Sequence, residues 1–240
     1  MKTNFFYNNS KGADNMAAFY QESDYENALL ELFEQHLGYE YVCGYHIDHN
    51  VKSPLYDEVL EESIFRINKG KPYDAIKNAL LTLKNFENGT LVQKNAVFTD
   101  YLQNGISARY TENGEERSTL IYLIDWENIE NNSFICANQW TFIENSNRRP
   151  DILLFINGMP LVLIELKSPS REDTDASEGY TQIRNYMHEI PSMFYYNQIC
   201  VMSDQLTSKA GTITSDETRF MEWKTVDGSY ENTEYAQFDT

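Results

Sequence analysis

The sequence has no surplus of positive charge. Its 19 lysines and arginines face 37 aspartates and glutamates, a formal net charge of −18. A free-standing nucleic-acid binder neutralises phosphates with a basic surplus, so composition alone argues against that class. A nuclease whose DNA is held by other domains or subunits stays open. Cysteine is scarce: Cys43, Cys136 and Cys200 stand far apart with no C-x-x-C pair, which points to reduced thiols rather than a disulfide framework. No apolar run reaches membrane-spanning length, and the opening MKTNFFYNNSKGADN lacks the apolar core of a signal peptide. The expectation is a soluble cytoplasmic protein with no membrane association. No phosphate loop of the form G-x-x-x-x-G-K-[ST] occurs, so the chain carries no P-loop ATPase. Internal repeats and long Gly/Ser or Pro linkers are also missing.

What is present suffices for a core. Across 240 residues, 41% are hydrophobic, with 17 tyrosines and 13 phenylalanines. After a polar lead-in, YENALLELFEQHLGYEYV places Leu29, Leu30, Leu32, Phe33 and Leu37 at helical spacing, with Gly38 as a stop. YEYVCGYHI then predicts a strand. LYDEVLEESIFRIN, YDAIKNALLTLKNF and LVQKNAVFTDYLQNG predict three amphipathic helices, read together as a helical insertion over residues 54–104. From Ile106 the pattern changes. ISARYTENGEERSTLIYLIDW predicts two strands about Asn113-Gly114, and SFICANQWTFIE a further single strand. SEGYTQIRNYMHEI predicts a helix closed by Pro191, QICVMSD a buried strand, and the last fifteen residues a linker.

The stretch RRPDILLFINGMPLVLIELKSPS, Arg148 to Ser170, sets charges into apolar strands. Its Asn157-Gly158 pair predicts a hairpin. Residues two apart share a strand face, so Glu165 and Lys167 point one way and Leu166 the other. Asp151 lies six residues before Asn157 and Glu165 seven after Gly158, which brings both carboxylates to one end of the hairpin within one residue of register. Adjacent carboxylates repel unless a cation neutralises them. Mg²⁺ suits two carboxylates and the Leu166 main-chain carbonyl, and Lys167 is placed to orient a water. The competing reading is a surface hairpin with an ordinary Glu-Lys pair. The run LVLIEL, however, lacks clean alternation and points to burial on both faces.

The ordered set Pro150-Asp151, hairpin, apolar strand, Glu165-Leu166-Lys167 and following helix resembles the PD-(D/E)xK nuclease superfamily. RPDILLFINGMPLVLIELKSP, EGYTQIRNYMHEIPSMFYYNQ and VMSDQLTSKAGTITSDETRFMEWKT resemble the nuclease segment of the R subunit of type I restriction enzymes. The similarity covers residues 23–49 and 105–225, and the helical insertion only loosely. The resemblance implies an α/β fold with a PD-(D/E)xK endonuclease-like core: a central mixed β-sheet flanked by helices, with an inserted helical subdomain. It implies a nuclease domain over residues 1–225 and, over 226–240, the start of a linker toward an absent ATP-dependent motor. These 240 residues then read as the N-terminal fragment of a longer subunit.

The implied activity is Mg²⁺-dependent endonucleolytic hydrolysis of double-stranded DNA. Asp151, Glu165 and Lys167 are its catalytic residues, and Asp151, Glu165 and the Leu166 carbonyl its metal ligands. ATP is used by the full-length subunit and not by this fragment. The implied partners are double-stranded DNA, methyltransferase and specificity subunits, and the subunit's own C-terminal motor domains. Gln182 and Tyr186 supply the family's Q-x-x-x-Y, on one helix face; DNA contact, motor coupling and plain core packing stay open for them. Glu26 is either a further acidic group at the metal or a first-turn glutamate favoured by the helix dipole. His46 and His49, with Asp48 between, read as a polar loop and not a zinc site. Arg148 and Arg149 meet phosphate or solvate the turn. Lys209, Arg219 and Lys224 are too scattered for a basic patch. Two rival functions are a non-catalytic docking module on a nuclease scaffold and a stand-alone DNA repair or junction-resolving nuclease.

Overall fold

The computed structural model describes residues 22–167, 176–204 and 207–222. The polar lead-in, the linker over 226–240 and Lys224 lie outside the described residues. Helix α1 (Glu22–Glu31) continues as a π-helical turn over Leu32–His36. Gly38, at φ 72°, turns the chain into strand β1 (Glu40–Cys43). Helices α2 (Asp57–Ile67), α3 (Tyr73–Lys84) and α4 (Leu91–Asn104) follow. A capping box sets the start of α4: the Thr90 hydroxyl accepts from the Gln93 amide, and the Gln93 side chain accepts from the Thr90 amide.

Strands β2 (Ile106–Glu112) and β3 (Glu115–Ile121) form a separate antiparallel pair, tied through Asn113 and Gly114 at positive φ. They share one apolar cluster with α2, α3 and α4, built on Leu60, Ile64, Ile76, Leu83, Phe98, Ile106 and Ile121. The three helices and this hairpin thus form one layer.

SFICANQWTFIE is not one strand. It breaks into β4 (Phe134–Asn138) and β5 (Phe142–Ile143), because Gln139 takes φ 51° and turns the chain. β5 pairs with β6 (Asn147–Arg148). The hairpin of β7 (Ile152–Ile156) and β8 (Met159–Leu166) leads to α5 (Ala176–Glu189), then β9 (Ile199–Ser203), β10 (Ser208–Gly211) and β11 (Met221–Glu222).

The central sheet is mixed and seven-stranded, in the order β1-β4-β7-β8-β9-β10-β11. β1 runs parallel to β4 and β8 parallel to β9, while β7 runs antiparallel to both β4 and β8. The carboxyl ends of β1, β4, β8 and β9 therefore meet the start of β7 along one edge. α5 covers one face through Ile183, Tyr186 and Met187, packed with Leu153, Phe155 and Leu163. α1 covers the other through Leu30, packed with Cys136, Ile152, Leu154, Ile164 and Leu166. Both faces of β8 are covered, which accounts for its unbroken apolar run.

Candidate active site

The hairpin tip is buried. Asn157 and Gly158 take φ 49° and 76°, the pairing a tight two-residue turn needs. Asn157 is fully buried, and its amide bridges three segments. It accepts from the Ser133 amide at 2.7 Å and donates to Leu123 O at 2.9 Å and to Asn132 Oδ1 at 2.8 Å. A Cβ on Gly158 would lie 2.5 Å from Leu60 N and 2.6 Å from Tyr56 O, so α2 seats directly on the turn.

From this fixed end the register runs Ile156↔Met159 and Phe155↔Pro160, then shifts to Leu154↔Val162, Leu153↔Leu163 and Ile152↔Ile164. The bulge leaves one extra residue on β8 and absorbs the one-residue mismatch read from the turn. Pro160, which has no N–H, sits beside it. One step on, Asp151 and Glu165 stand opposite one another at the end of the hairpin. They share the α5 face with Leu153 and Leu163.

Asp151 Oδ2 accepts from the Leu166 amide at 2.7 Å, pinning the start of β7 across the end of β8. Glu165 is only 3% exposed. Its Oε1 accepts from Lys167 Nζ at 2.7 Å, and the same ammonium donates to Leu166 O at 2.8 Å. Lys167 N donates to Ser203 O at 2.8 Å, which extends pairing with the end of β9. Tyr186, from α5, reaches the same carboxylate. Burial first, and then the negative charge of Glu165, push its phenol well above the ordinary tyrosine value, so it stays protonated. Gln182 opposes that shift and the charge of Asp151 adds to it. Lys167, Glu178, Thr181 and Gln182 line an open cleft of about 340 Å³ beside the group.

The structure thus brings Asp151, Glu165, Leu166, Lys167, Gln182 and Tyr186 to one end of the sheet. Glu26 is placed differently. Its Oε1 accepts from Asn138 Nδ2 at 2.7 Å, and Asn138 Oδ1 accepts from the Tyr41 hydroxyl at 3.0 Å. Asn138 shares the α1 face with Cys136, opposite the two carboxylates. Among the described residues, no group of three or more His, Cys, Asp and Glu is gathered as a metal site. His49 is a packing residue, stacked 4.0 Å from the Trp140 ring with Nε2 at 3.0 Å from Thr141 O. Arg148 pairs with both carboxylate oxygens of Glu189. Sequence reading missed that pairing, the Asn138–Glu26 contact, and a bond of 2.7 Å between the Tyr25 and Ser203 hydroxyls. Separations of 41 to 178 residues leave no local signal for them.

A central mixed sheet with a helix on each face, and two carboxylates and a lysine at the end of one hairpin, is consistent with a PD-(D/E)xK-like core. Residues 19–219 match the family described as type I restriction enzyme R protein N terminus, and the chain belongs to that family. It is 33% identical over 216 residues to the type I restriction enzyme HindI endonuclease subunit of Haemophilus influenzae, an alignment covering 86% of this chain and 20% of that protein. It is 34% identical over 212 residues to the putative type I restriction enzyme MjaIXP endonuclease subunit of Methanocaldococcus jannaschii, covering 84% and 20%. A type I restriction endonuclease subunit of Staphylococcus aureus strain COL is 27% identical over 198 residues, covering 80% and 19%. The chain spans about a fifth of the length of these relatives.

Proposed function

We propose that this chain is the endonuclease domain of a type I restriction subunit and hydrolyses phosphodiester bonds of double-stranded DNA with Mg²⁺. The observation that carries the reading is the meeting of Asp151 and Glu165, with Lys167 bonded to the second. The donor set fits the ion. Two carboxylates and the Leu166 carbonyl are hard oxygens of the kind Mg²⁺ takes. Two of these oxygens, Glu165 Oε1 and Leu166 O, already gather about a cation, the Lys167 ammonium. Asp151, Glu165 and the Leu166 carbonyl would hold the metal, which when bound supplies Lewis-acid polarisation of the phosphate and acidifies water.

The chain's own groups divide the remaining work. Lys167 holds the attacking water and balances charge building on the phosphate oxygens. The Leu166 amide keeps Asp151 turned toward Glu165. The protonated Tyr186 phenol lies beside Glu165 from α5, and Gln182 and Tyr186 either contact DNA or couple cleavage to the motor domains. Cleavage in the cell would draw on the longer protein: ATP used by its motor domains, and methyltransferase and specificity subunits that read the DNA site. Isolated and largely buried cysteines suit a reducing cytoplasm.

Calorimetric titration with Mg²⁺ tests the reading. Wild type should show one specific site that Asp151→Ala lacks, and plasmid nicking by the intact subunit should disappear in the same variant. Matching isotherms for the two proteins would reject the metal assignment. Nicking by Asp151→Ala at the wild-type rate would favour the docking-module reading.

A further inference from the structure

Arg148 and Arg149 stand side by side before Pro150-Asp151, and the structure separates them. Arg148 makes a two-point pairing with Glu189, which fixes it as a brace between β6 and α5. Arg149 is exposed and lies over the ring of Tyr45, its guanidinium 5.0 Å from the ring centroid. Its Nη1 donates to Gln139 Oε1 at 3.3 Å. In a chain with nearly twice as many acidic as basic side chains, no carboxylate among the described residues forms an ion pair with it. Among the described residues, one of its five N–H donors finds a partner.

The platform beneath it is built by the backbone. Gly44 N donates to Asn138 O at 2.9 Å, carrying the β1–β4 pairing one residue past the end of β1. A Cβ at Gly44 would lie 2.6 Å from Gln139 O and 2.7 Å from Trp140 Cα, so glycine permits the approach. Gln139, at φ 51°, turns the chain out of β4. Tyr45 follows β1 and remains 65% exposed, so its ring face is open to the guanidinium that lies over it. Tyr45, Gln139 and Arg149 therefore come from three adjacent strand positions, on the sheet edge that carries Asp151, Glu165 and Lys167. Neighbouring strands stand about 4.8 Å apart. That puts β1 about 10 Å from β7 and about 14 Å from β8, or roughly three to four nucleotides at the ~3.4 Å axial rise of duplex DNA.

We propose that Arg149, shelved on Tyr45 and tethered by Gln139, is a DNA-anchoring residue that takes a backbone phosphate a few nucleotides from the scissile one. The proposal rests on the nuclease reading above. Stacking on the ring orients the planar guanidinium before DNA arrives and leaves its edge donors outward, so less freedom is lost on contact. A strongly acidic domain repels DNA at long range, so local contacts of this kind must set where the duplex lies.

The test uses the full chain and a fluorescently labelled duplex without Mg²⁺, with anisotropy followed over a low-salt series. One lost phosphate contact lowers the slope of log affinity against log salt by about 0.9. The same factor makes Arg149→Ala about eightfold weaker near 0.1 M salt. Arg149→Lys should keep the slope but bind more weakly, Tyr45→Phe should match wild type, and Tyr45→Ala should weaken binding. Arg109→Ala, which removes a cation paired with Glu116 on the inserted hairpin, should leave the slope unchanged. A wild-type slope and affinity in Arg149→Ala, or no duplex binding even at low salt, overturns the anchor. Mg²⁺ calorimetry on the same preparations separates the two readings. If Asp151→Ala still loses its site, the nuclease reading stands while the anchor falls; if it does not, both fall together.

Discussion

Replacing Lys167 by alanine removes an ammonium from the most buried carboxylate of the site, and the structure sets the scale of the effect. The Glu165 side chain is 4% exposed and that of Lys167 18%. Orphaning one member of a fully buried pair costs about 3–5 kcal/mol, whereas an exposed pair is worth about 0–1 kcal/mol. Lys167 sits at the rim, so water reaches the carboxylate once the long side chain is gone. The expected loss is therefore about 2 kcal/mol, between those limits. For a domain of this size it lowers Tm by roughly 4–8 °C. Lys167→Ala should fold, since the methylenes lost with the ammonium lie at the end of β8 and not within the apolar clusters on either face of the sheet.

Mg²⁺ should narrow the deficit. The variant's carboxylates gain a cation they otherwise lack, and binding to the folded state alone stabilises it. The double variant Glu165→Gln/Lys167→Met should lie close to wild type in chelator, because a buried pair replaced as a unit costs little. Nicking by the intact subunit should fall by about 10²–10³-fold in Lys167→Ala, the scale of a lost transition-state donor, while its ATPase continues. Scanning calorimetry with and without Mg²⁺, and plasmid nicking on the same preparations, measure all of this. An unchanged Tm together with wild-type nicking would return Lys167 to the status of a surface ion pair.

Other outcomes are separable from the chemistry. Gly158→Ala should lose more stability than the ~1–2 kcal/mol of left-handed backbone alone, because its Cβ collides with the start of α2; a Tm within about 2 °C of wild type would count against that packing. Native protein treated with a thiol reagent should label Cys43 only, since burial pushes Cys136 and Cys200 up to about 12 and both are fully enclosed. Modification of all three before unfolding would contradict it. At physiological salt the isolated chain should bind duplex DNA weakly, given its net charge of −18, and tight sequence-independent binding would favour a stand-alone nuclease.

The hairpin was legible because its signals are local. An Asn-Gly turn, two apolar runs and a two-residue alternation from Glu165 to Lys167 are written in consecutive residues. The bulge was not legible. When both strand faces are buried, apolar pattern no longer fixes register, so the count from the turn left Asp151 and Glu165 one residue apart until the shift beyond Leu154 aligned them. The break in SFICANQWTFIE was hidden for another reason: a left-handed glutamine at position 139 has no sequence signature of the kind glycine provides. The strands β2 and β3 were visible, but not their separation from the main sheet. Their largely exposed polar residues, Glu115 to Ser118 among them, say nothing about which layer the other face joins.

Asp151 and Glu165 set against Lys167 leave a single net negative charge before any ligand arrives. A phosphodiester placed beside them adds a second. In a pocket where Glu165 is almost fully enclosed, that excess is poorly screened, so two carboxylates and a phosphate would oppose one another strongly. One divalent cation balances both charges at once, whereas without DNA the same ion overshoots by one. Metal and DNA should therefore bind with positive coupling, and reciprocity requires each to tighten the other by the same factor. Coupling energies between sites commonly reach about 1–3 kcal/mol, or roughly 5- to 150-fold. Calcium serves as the probe, being a hard oxygen-seeking ion like magnesium. Its affinity is to be measured with and without a saturating duplex, in wild type and in Asp151→Asn. Wild type should tighten by at least fivefold, and Asp151→Asn, with one charge fewer at the site, by clearly less. Equal affinities with and without DNA in wild type would mean that the phosphate does not sit beside these carboxylates, and the duplex would have to be placed elsewhere on the sheet edge.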